Sequence, residues 1–222
     1  LSYVEQRLWR YAYLNAGLKI YLDKKLYYSA KGLLDLLDKE LDGAELYPPI
    51  YYRDNTLEFA FSHTDSFSDC YYTFVNGQNT TQGGTHLLAF REAIVKTIRD
   101  FYKKNVDFSD IRTGIVAAVS IKVEEPVFES QTKTKLGSKN ISPDGVSVRS
   151  FIMDFVTKEL ELYLHRNTEI ADELWRKIQE AERERRMEFI PENSEFRPEN
   201  IKFDAETRRM LQNYGYDKLF DQ

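Results

Sequence analysis

Apolar residues along this chain recur at two periods, and the periods come in separate blocks. The clearest block of period two runs from Thr113 to Val123. There Ala117, Val119, Ile121 and Val123 point one way and Val116, Ala118 and Ser120 the other, the pattern of a mostly buried strand. Ile50–Tyr52, Leu57–His63 and Asp69–Val75 read as further strands, separated by polar turns at Arg53-Asp54-Asn55 and Thr64-Asp65-Ser66. Phe59 and Phe61 share one face and Ala60 takes the other, so a half-buried antiparallel sheet is expected. Earlier, Leu18–Leu22, a turn at Asp23-Lys24-Lys25 and Leu26–Tyr28 read as a small hairpin.

Helical spacing fills the other blocks. Tyr3–Ala16 is expected to be a helix through Val4, Leu8, Tyr11 and Leu14 or Asn15, stopped by Gly17. Lys31–Leu41 follows as a short amphipathic helix whose leucines belong to the core. Thr85 to about Lys103 presents Leu87, Phe90, Ile94, Ile98 and Phe101 on one face, with Thr85 as the expected N-cap. Asn105–Ser109 reads as a loop leading into the central strand. A further helix begins near Val146 and buries Val148, Phe151, Ile152, Phe155, Val156, Leu160 and Tyr163. The last long helix, about Glu169–Met187, has only the thin seam Ile170, Leu174, Ile178 and Ala181, and ends in a nearly all-charged run. Such a helix either packs lightly or connects modules. Residues 189–222 read as an acidic, Pro-bearing segment with a short helix over Ala205–Tyr214, its role unassigned.

Chemistry concentrates where the central strand ends. Pro126 to Gly137 is a polar loop that sets Gln131, Lys133 and Lys135 on a rigid support. An amide donor beside compact ammonium groups suits a phosphate, and a merely solvated basic loop is the plain alternative. A second stretch, Phe74 to His86, runs from a strand through a polar loop to Gly83-Gly84 and a helix start. Its glycines permit a sharp turn, but no Gly-Lys-Ser/Thr ending follows, so it is no P-loop. Lys96, Arg99 and Lys103 line the far face of the Thr85–Lys103 helix, either as a solvated face or as a cationic surface, interrupted by Glu92 and Asp100. His63 is expected at the surface or in a hydrogen bond, and His86 as a structural cap or an interdomain contact. No Cys, His and carboxylate group has metal-ligand spacing, so no metal site is expected.

Composition narrows the classes further. At 222 residues, with 42% hydrophobic and 14% aromatic content, the chain has enough apolar material for one large or two small folded domains. The net charge of −5 means that any nucleic-acid contact comes from a local basic surface. The single cysteine, Cys70, excludes an internal disulfide framework and fits a reducing, cytoplasmic setting. With neither a secretory signal nor a membrane-spanning run, no membrane partner is expected.

The run Phe128-Glu129-Ser130-Gln131-Thr132-Lys133-Thr134-Lys135-Leu136-Gly137 resembles the Gln-Thr-Lys loop of the ATPase-bearing B subunits of bacterial type IIA topoisomerases, gyrase and topoisomerase IV. Leu14-Asn15 with Gly17-Leu18, Gly83-Gly84-Thr85-His86 with Phe90, and Asp110-Ile111-Arg112-Thr113-Gly114 resemble other family segments. The resemblance covers about Leu1–Arg186 and is nearest to topoisomerase IV B subunits. It implies a transducer domain: an α+β, ribosomal protein S5 domain 2-like fold, a mixed sheet with helices on one side and a left-handed βαβ crossover, followed by a long C-terminal helix. The implied organisation is a transducer domain over 1–166, a charged connecting helix over 167–188 and a tail over 189–222.

The resemblance also implies roles. Gln131 and Lys133 match the family residues that contact the γ-phosphate of ATP held by the preceding domain, with Lys133 the catalytic residue. Ser130 stands where the family usually has Gly. Lys96, Arg99 and Lys103 would line the cavity through which double-stranded DNA passes. ATP and Mg²⁺ are expected in the full-length protein and no cofactor on this chain alone. The implied partners are a second copy of the B-type chain, in a homodimer, and the topoisomerase A chain. Two other readings stand beside this one. One is a non-catalytic interaction module of the same fold; the other is a mismatch-repair or chaperone ATPase, whose loop carries a corresponding Lys but not the full run.

Overall fold

A computed structural model describes residues 2–188. Residues up to Ile178 form one compact body, and residues 179–188 continue the last helix. In order, the elements are α1 Ser2–Leu14, β1 Ile20–Leu22, β2 Lys25–Tyr27, α2 Leu33–Leu41, β3 Ile50–Arg53, β4 Leu57–His63, β5 Cys70–Val75, β6 Gln78–Asn79, α3 Thr85–Tyr102, α4 Phe108–Arg112, β7 Ile115–Ile121, α5 Val148–Arg166 and α6 Thr168–Glu188. The tail helix expected within residues 189–222 lies outside the described residues. No helix among the described residues is long and apolar enough to cross a membrane.

Five strands form a mixed sheet in the order β3-β4-β7-β5-β6. β7 is its centre, antiparallel to β4 and parallel to β5. The alternation read from the sequence holds: Ala117, Val119 and Ile121 enter one core with Phe59 and Phe61, while Ala118 and Ala60 enter another. The first core is closed by α3, α5 and the first half of α6, with Phe90 and Phe155 against Phe59 at ring separations of 5.7 and 6.3 Å. The opposite face is covered as well. α2 lays Leu33, Leu36, Leu37 and Leu41 there, helped by Tyr13 of α1. Ala60 pairs with Ala118 beneath them, and two small side chains leave room for a closely packed helix. This is why all seven residues of β4 are buried, where a half-buried strand was expected.

Two helices depart from their sequence reading. In α1 the inward residues are Ala12 and Tyr13 with Trp9, whereas Val4 and Tyr11 are 47% and 51% exposed. Several apolar stripes are available on a helix this rich in aromatics, and tertiary packing chose the one beside the stripe that was read. The short α4 replaces the latter part of an expected loop. Its N-cap, Asp107, accepts from the Ser109 amide at 2.8 Å, a local signal present in the sequence.

α4 anchors a buried histidine. His63, fully buried at the end of β4, contacts the Ile111 carbonyl through Nε2 at 2.7 Å and the Tyr47 hydroxyl through Nδ1 at 2.5 Å. A carbonyl only accepts, so Nε2 carries the proton, and Nδ1 accepts from Tyr47. Burial lowers the His63 pKa from 6.5 to about 4, favouring this neutral ring. Between pH 6.5 and 4 the unfolded chain therefore takes up a proton that the folded chain refuses. Stability is expected to fall as pH drops through that window, by up to about 1.4 kcal/mol per pH unit from this group. Thermal midpoints of the natural chain and of His63→Gln, followed from pH 7 to 4, should converge as the pH falls; parallel curves would contradict the assignment.

Candidate functional site

The two informative loops meet because of the sheet order. β5 and β7 run parallel with Val75 opposite Ile121, so the chain leaves both strands at the same end of the sheet. Asn76 ties the exits together. Its amide nitrogen donates to Ile121, and its side chain both donates to and accepts from the backbone of Val123, at 2.8 and 2.9 Å. The double-glycine loop follows β5 and β6, and the Gln131–Lys133 loop follows β7.

Their junction is backbone on backbone. Leu136 donates its N–H to the Gly83 carbonyl at 3.0 Å, and its carbonyl accepts from the Thr85 amide at 3.1 Å. Gln82 adds a bond to the Thr134 carbonyl at 2.9 Å. Gly84 lies between at φ 131°, where a Cβ would meet the Leu136 oxygen at 2.2 Å and its nitrogen at 2.5 Å. Only glycine permits this approach. The Leu136 side chain is wholly buried in the main core, which fixes the loop's returning leg. Thr85 is not the N-cap. Gly84 occupies that position without a side-chain bond, and the Thr85 hydroxyl instead donates to Ser138 at 2.7 Å. Since the Thr85 N–H is spent on Leu136, it is not presented as an anion cradle.

Below the junction, Thr73, Thr80 and His86 form a buried polar chain. The two threonine hydroxyls are 2.7 Å apart, and Thr80 Oγ1 lies 3.1 Å from His86 Nε2. Burial depresses the His86 pKa to about 4, so the ring is neutral near pH 7. His86, expected as a structural cap or an interdomain contact, is thus a buried support beneath the glycine turn, and its Nδ1 has no hydrogen-bond partner among the described residues.

Above the junction the chain folds back on itself. Phe128 bridges Leu136, Glu129 donates its N–H to Lys135, and Lys133 donates its N–H to Ser130, at 3.0 Å in both bonds. Lys133 takes the left-handed conformation, φ 54°. Most tip side chains are engaged within the loop. Ser130 Oγ lies 2.8 Å from Thr132 Oγ1 and 3.3 Å from Thr134 Oγ1, and Lys135 pairs with Glu129 at 2.7 Å. Gln131 and Lys133 are exposed and make no side-chain hydrogen bond or ion pair with the described residues. An amide donor and a free ammonium at the tip are a chemically plain receptor for an anionic oxygen. The two lysines that the sequence places on this loop differ in their engagement: Lys135 is paired with Glu129, and Lys133 is not.

Of the other named cations, Lys96 and Arg99 sit on α3, which begins at the junction, and Lys103 follows the helix as its left-handed C-cap, φ 52°, so it does not continue the expected helical stripe. Lys96 and Lys103 are exposed, and Arg99 is half-buried, its guanidinium donating to Asn105 at 2.9 Å and lying 5.2 Å from the Phe108 ring centre. Of the acids expected to interrupt this stripe, Glu92 is held by Arg149 of α5, whose Nε donates at 2.9 Å and lowers the Glu92 pKa. Among the described residues no group of three His, Cys, Asp or Glu is arranged to hold a metal ion.

Comparison with known proteins gives this geometry a context. The family model for DNA gyrase B matches residues 17–188. The B chain of DNA topoisomerase 4 from Borreliella burgdorferi is 40% identical over 186 residues, covering 83% of this chain and 30% of that protein. The B chain of DNA gyrase from Clostridium acetobutylicum is 33% identical over 76% of this chain and 29% of its own length. The chain therefore spans less than a third of these curated relatives. Among solved structures, the 43K ATPase domain of Thermus thermophilus gyrase B superposes with a TM-score of 0.68 at 26% identity, covering 83% of this chain and 55% of that one. The ATPase region of Saccharomyces cerevisiae topoisomerase II gives 0.59 at 25% identity, covering 79% of this chain and 44% of that one.

Replacing Gly84 by Ala is expected to push Leu136 off the helix start and to cost at least about 2 kcal/mol, from contact overlap plus the disfavoured φ. Thermal unfolding together with amide exchange at Leu136 measures both effects. An unchanged melting point and an unchanged Leu136 exchange rate would contradict the junction.

Proposed function

The chain belongs to the DNA gyrase B family, and from that membership we propose that it is the transducer part of an ATP-dependent type II topoisomerase of the topoisomerase IV B kind. The observation that carries the reading is the loop tip, where Gln131 and Lys133 alone are left uncommitted among the polar side chains from Glu129 to Lys135. In this reading the Lys133 ammonium stabilises charge that builds on the transferred γ-phosphoryl group of ATP, and the Gln131 amide orients that group. Mg²⁺, the base and the rest of the nucleotide site would come from the ATP-binding part of the full-length protein.

Coupling follows from what the loop is attached to. A pull on Lys133 passes through the Leu136 pairing into the first turn of α3. α3 is 18 residues long, about 27 Å of rigid helix, and carries Lys96 and Arg99 farther along, with Lys103 as its C-cap. We assign those residues to a surface that attracts the phosphates of double-stranded DNA without reading its sequence. The engagement of Glu92 by Arg149 supports that assignment, because it takes one carboxylate out of competition. Hydrolysis would release the loop and let the domain move, linking ATP turnover to strand passage. The working assembly would be a cytoplasmic homodimer of B-type chains joined by the topoisomerase A chain.

The test is ATPase activity of the chain joined to a family ATP-binding domain. Lys133→Ala is expected to lower kcat about a hundredfold or more while nucleotide binding changes only a few-fold. The chain by itself is expected to show no ATP hydrolysis. Unchanged turnover in Lys133→Ala would remove the loop from the chemistry and leave an interaction module of the same fold.

A further inference from the structure

We propose that Lys135 is not a second phosphate ligand but a positioning residue, which with Glu129 forms an ionic clasp that holds Lys133 at the loop tip. The inference rests on the reading that this loop meets the γ-phosphate, and it divides between two lysines a role that their spacing alone leaves shared.

Three observations support the clasp. Glu129 and Lys135 are paired twice, through the ammonium and carboxylate at 2.7 Å and through the Glu129 N–H to the Lys135 carbonyl at 3.0 Å. The ion pair therefore closes the neck of the excursion directly above the Phe128–Leu136 bridge. Second, the tip is braced from inside by the hydroxyls of Ser130, Thr132 and Thr134, which lie 2.8 to 3.3 Å from one another. With neck and tip both tied, the left-handed turn at Lys133 is held by its neighbours, and its ammonium needs no partner within the loop. Third, a lysine already facing a carboxylate has part of its charge compensated, so it attracts an incoming anion less than an unpaired one does. The pair is partly exposed, with side-chain exposures of 41% for Lys135 and 53% for Glu129, so its contribution is modest and should weaken with salt. Ser130, in place of the glycine usual in the resembled loop, fits the same scheme, because glycine has no hydroxyl to brace Thr132 and Thr134.

Charge exchange separates a clasp from a phosphate contact, because a reversed pair still attracts itself whereas a glutamate at 135 repels phosphate. On this chain, amide exchange of Glu129 is expected to speed about three- to fivefold in Glu129→Gln and in Lys135→Met. It should return close to the natural rate in the double variant Glu129→Lys with Lys135→Glu, and high salt should reduce all the differences. Exchange that is unaffected in both single variants, or not restored in the double one, overturns the clasp. With the ATP-binding domain attached, the single variants should raise KM for ATP a few-fold at nearly constant kcat, and the double variant should recover it. A double variant that restores the amide but loses turnover as Lys133→Ala does would make Lys135 a phosphate ligand after all. If the amide responds as expected while neither Lys133→Ala nor any clasp variant alters turnover, the γ-phosphate reading fails, and with it the role given to the clasp.

Discussion

Every feature of the candidate site depends on one steric allowance, the missing side chain at Gly84. It lets the backbone of Leu136 lie against the start of α3, where a Cβ would fall 2.2 Å from the Leu136 oxygen. From that contact follow the two hydrogen bonds of Leu136 with Gly83 and Thr85, the burial of the Leu136 side chain and the latch from Thr85 to Ser138. The loop tip is thereby presented on a helix and a strand, not on a free excursion. Rigid support of this kind suits a side chain that must meet a phosphate in one geometry.

The sheet makes that allowance useful. Because β5 and β7 are parallel neighbours, loops that leave them nearly fifty residues apart in sequence emerge side by side. Helices on both faces bury β4 and the greater part of β7, so the support beneath the two loops is packed core. His63 and His86 are both neutral members of that interior; His63 is satisfied through Ile111 and Tyr47, whereas His86 meets Thr80 through Nε2 and its buried Nδ1 has no hydrogen-bond partner among the described residues. Under the proposed function this architecture has a purpose, since a domain that sensed a phosphate would need a stiff connection between the sensing tip and the part that moves.

Much of the fold was legible because its signals are local. Leu57–His63 appears with the boundaries read from the sequence, and the two-sided alternation of the central strand holds residue by residue from Val116 to Ile121. The loop motif made Gln131 and Lys133 visible as candidates before any geometry was known. What escaped was nonlocal or degenerate. The pairing of Gly84 with Leu136 joins backbones 52 positions apart and leaves no side-chain pattern. The Glu129–Lys135 clasp spans a turn, so helical or strand spacing does not pick it out. Thr85 looked like a cap because threonine before an apolar helix often is one, yet a nearby carbonyl took its hydroxyl. In α1, Trp9, Ala12 and Tyr13 form one of several equally apolar stripes, and only the neighbouring α2 decides among them.

The central claim is that the loop delivers the Lys133 ammonium, and not that of Lys135, to the γ-phosphate. It is tested most directly by reductive methylation of the lysines, read by mass spectrometry, on the chain joined to its ATP-binding domain with and without a non-hydrolysable ATP analogue. The account predicts that the analogue protects Lys133 strongly while Lys135, held by Glu129 in both states, changes little. Equal reactivity of Lys133 with and without the analogue would contradict it.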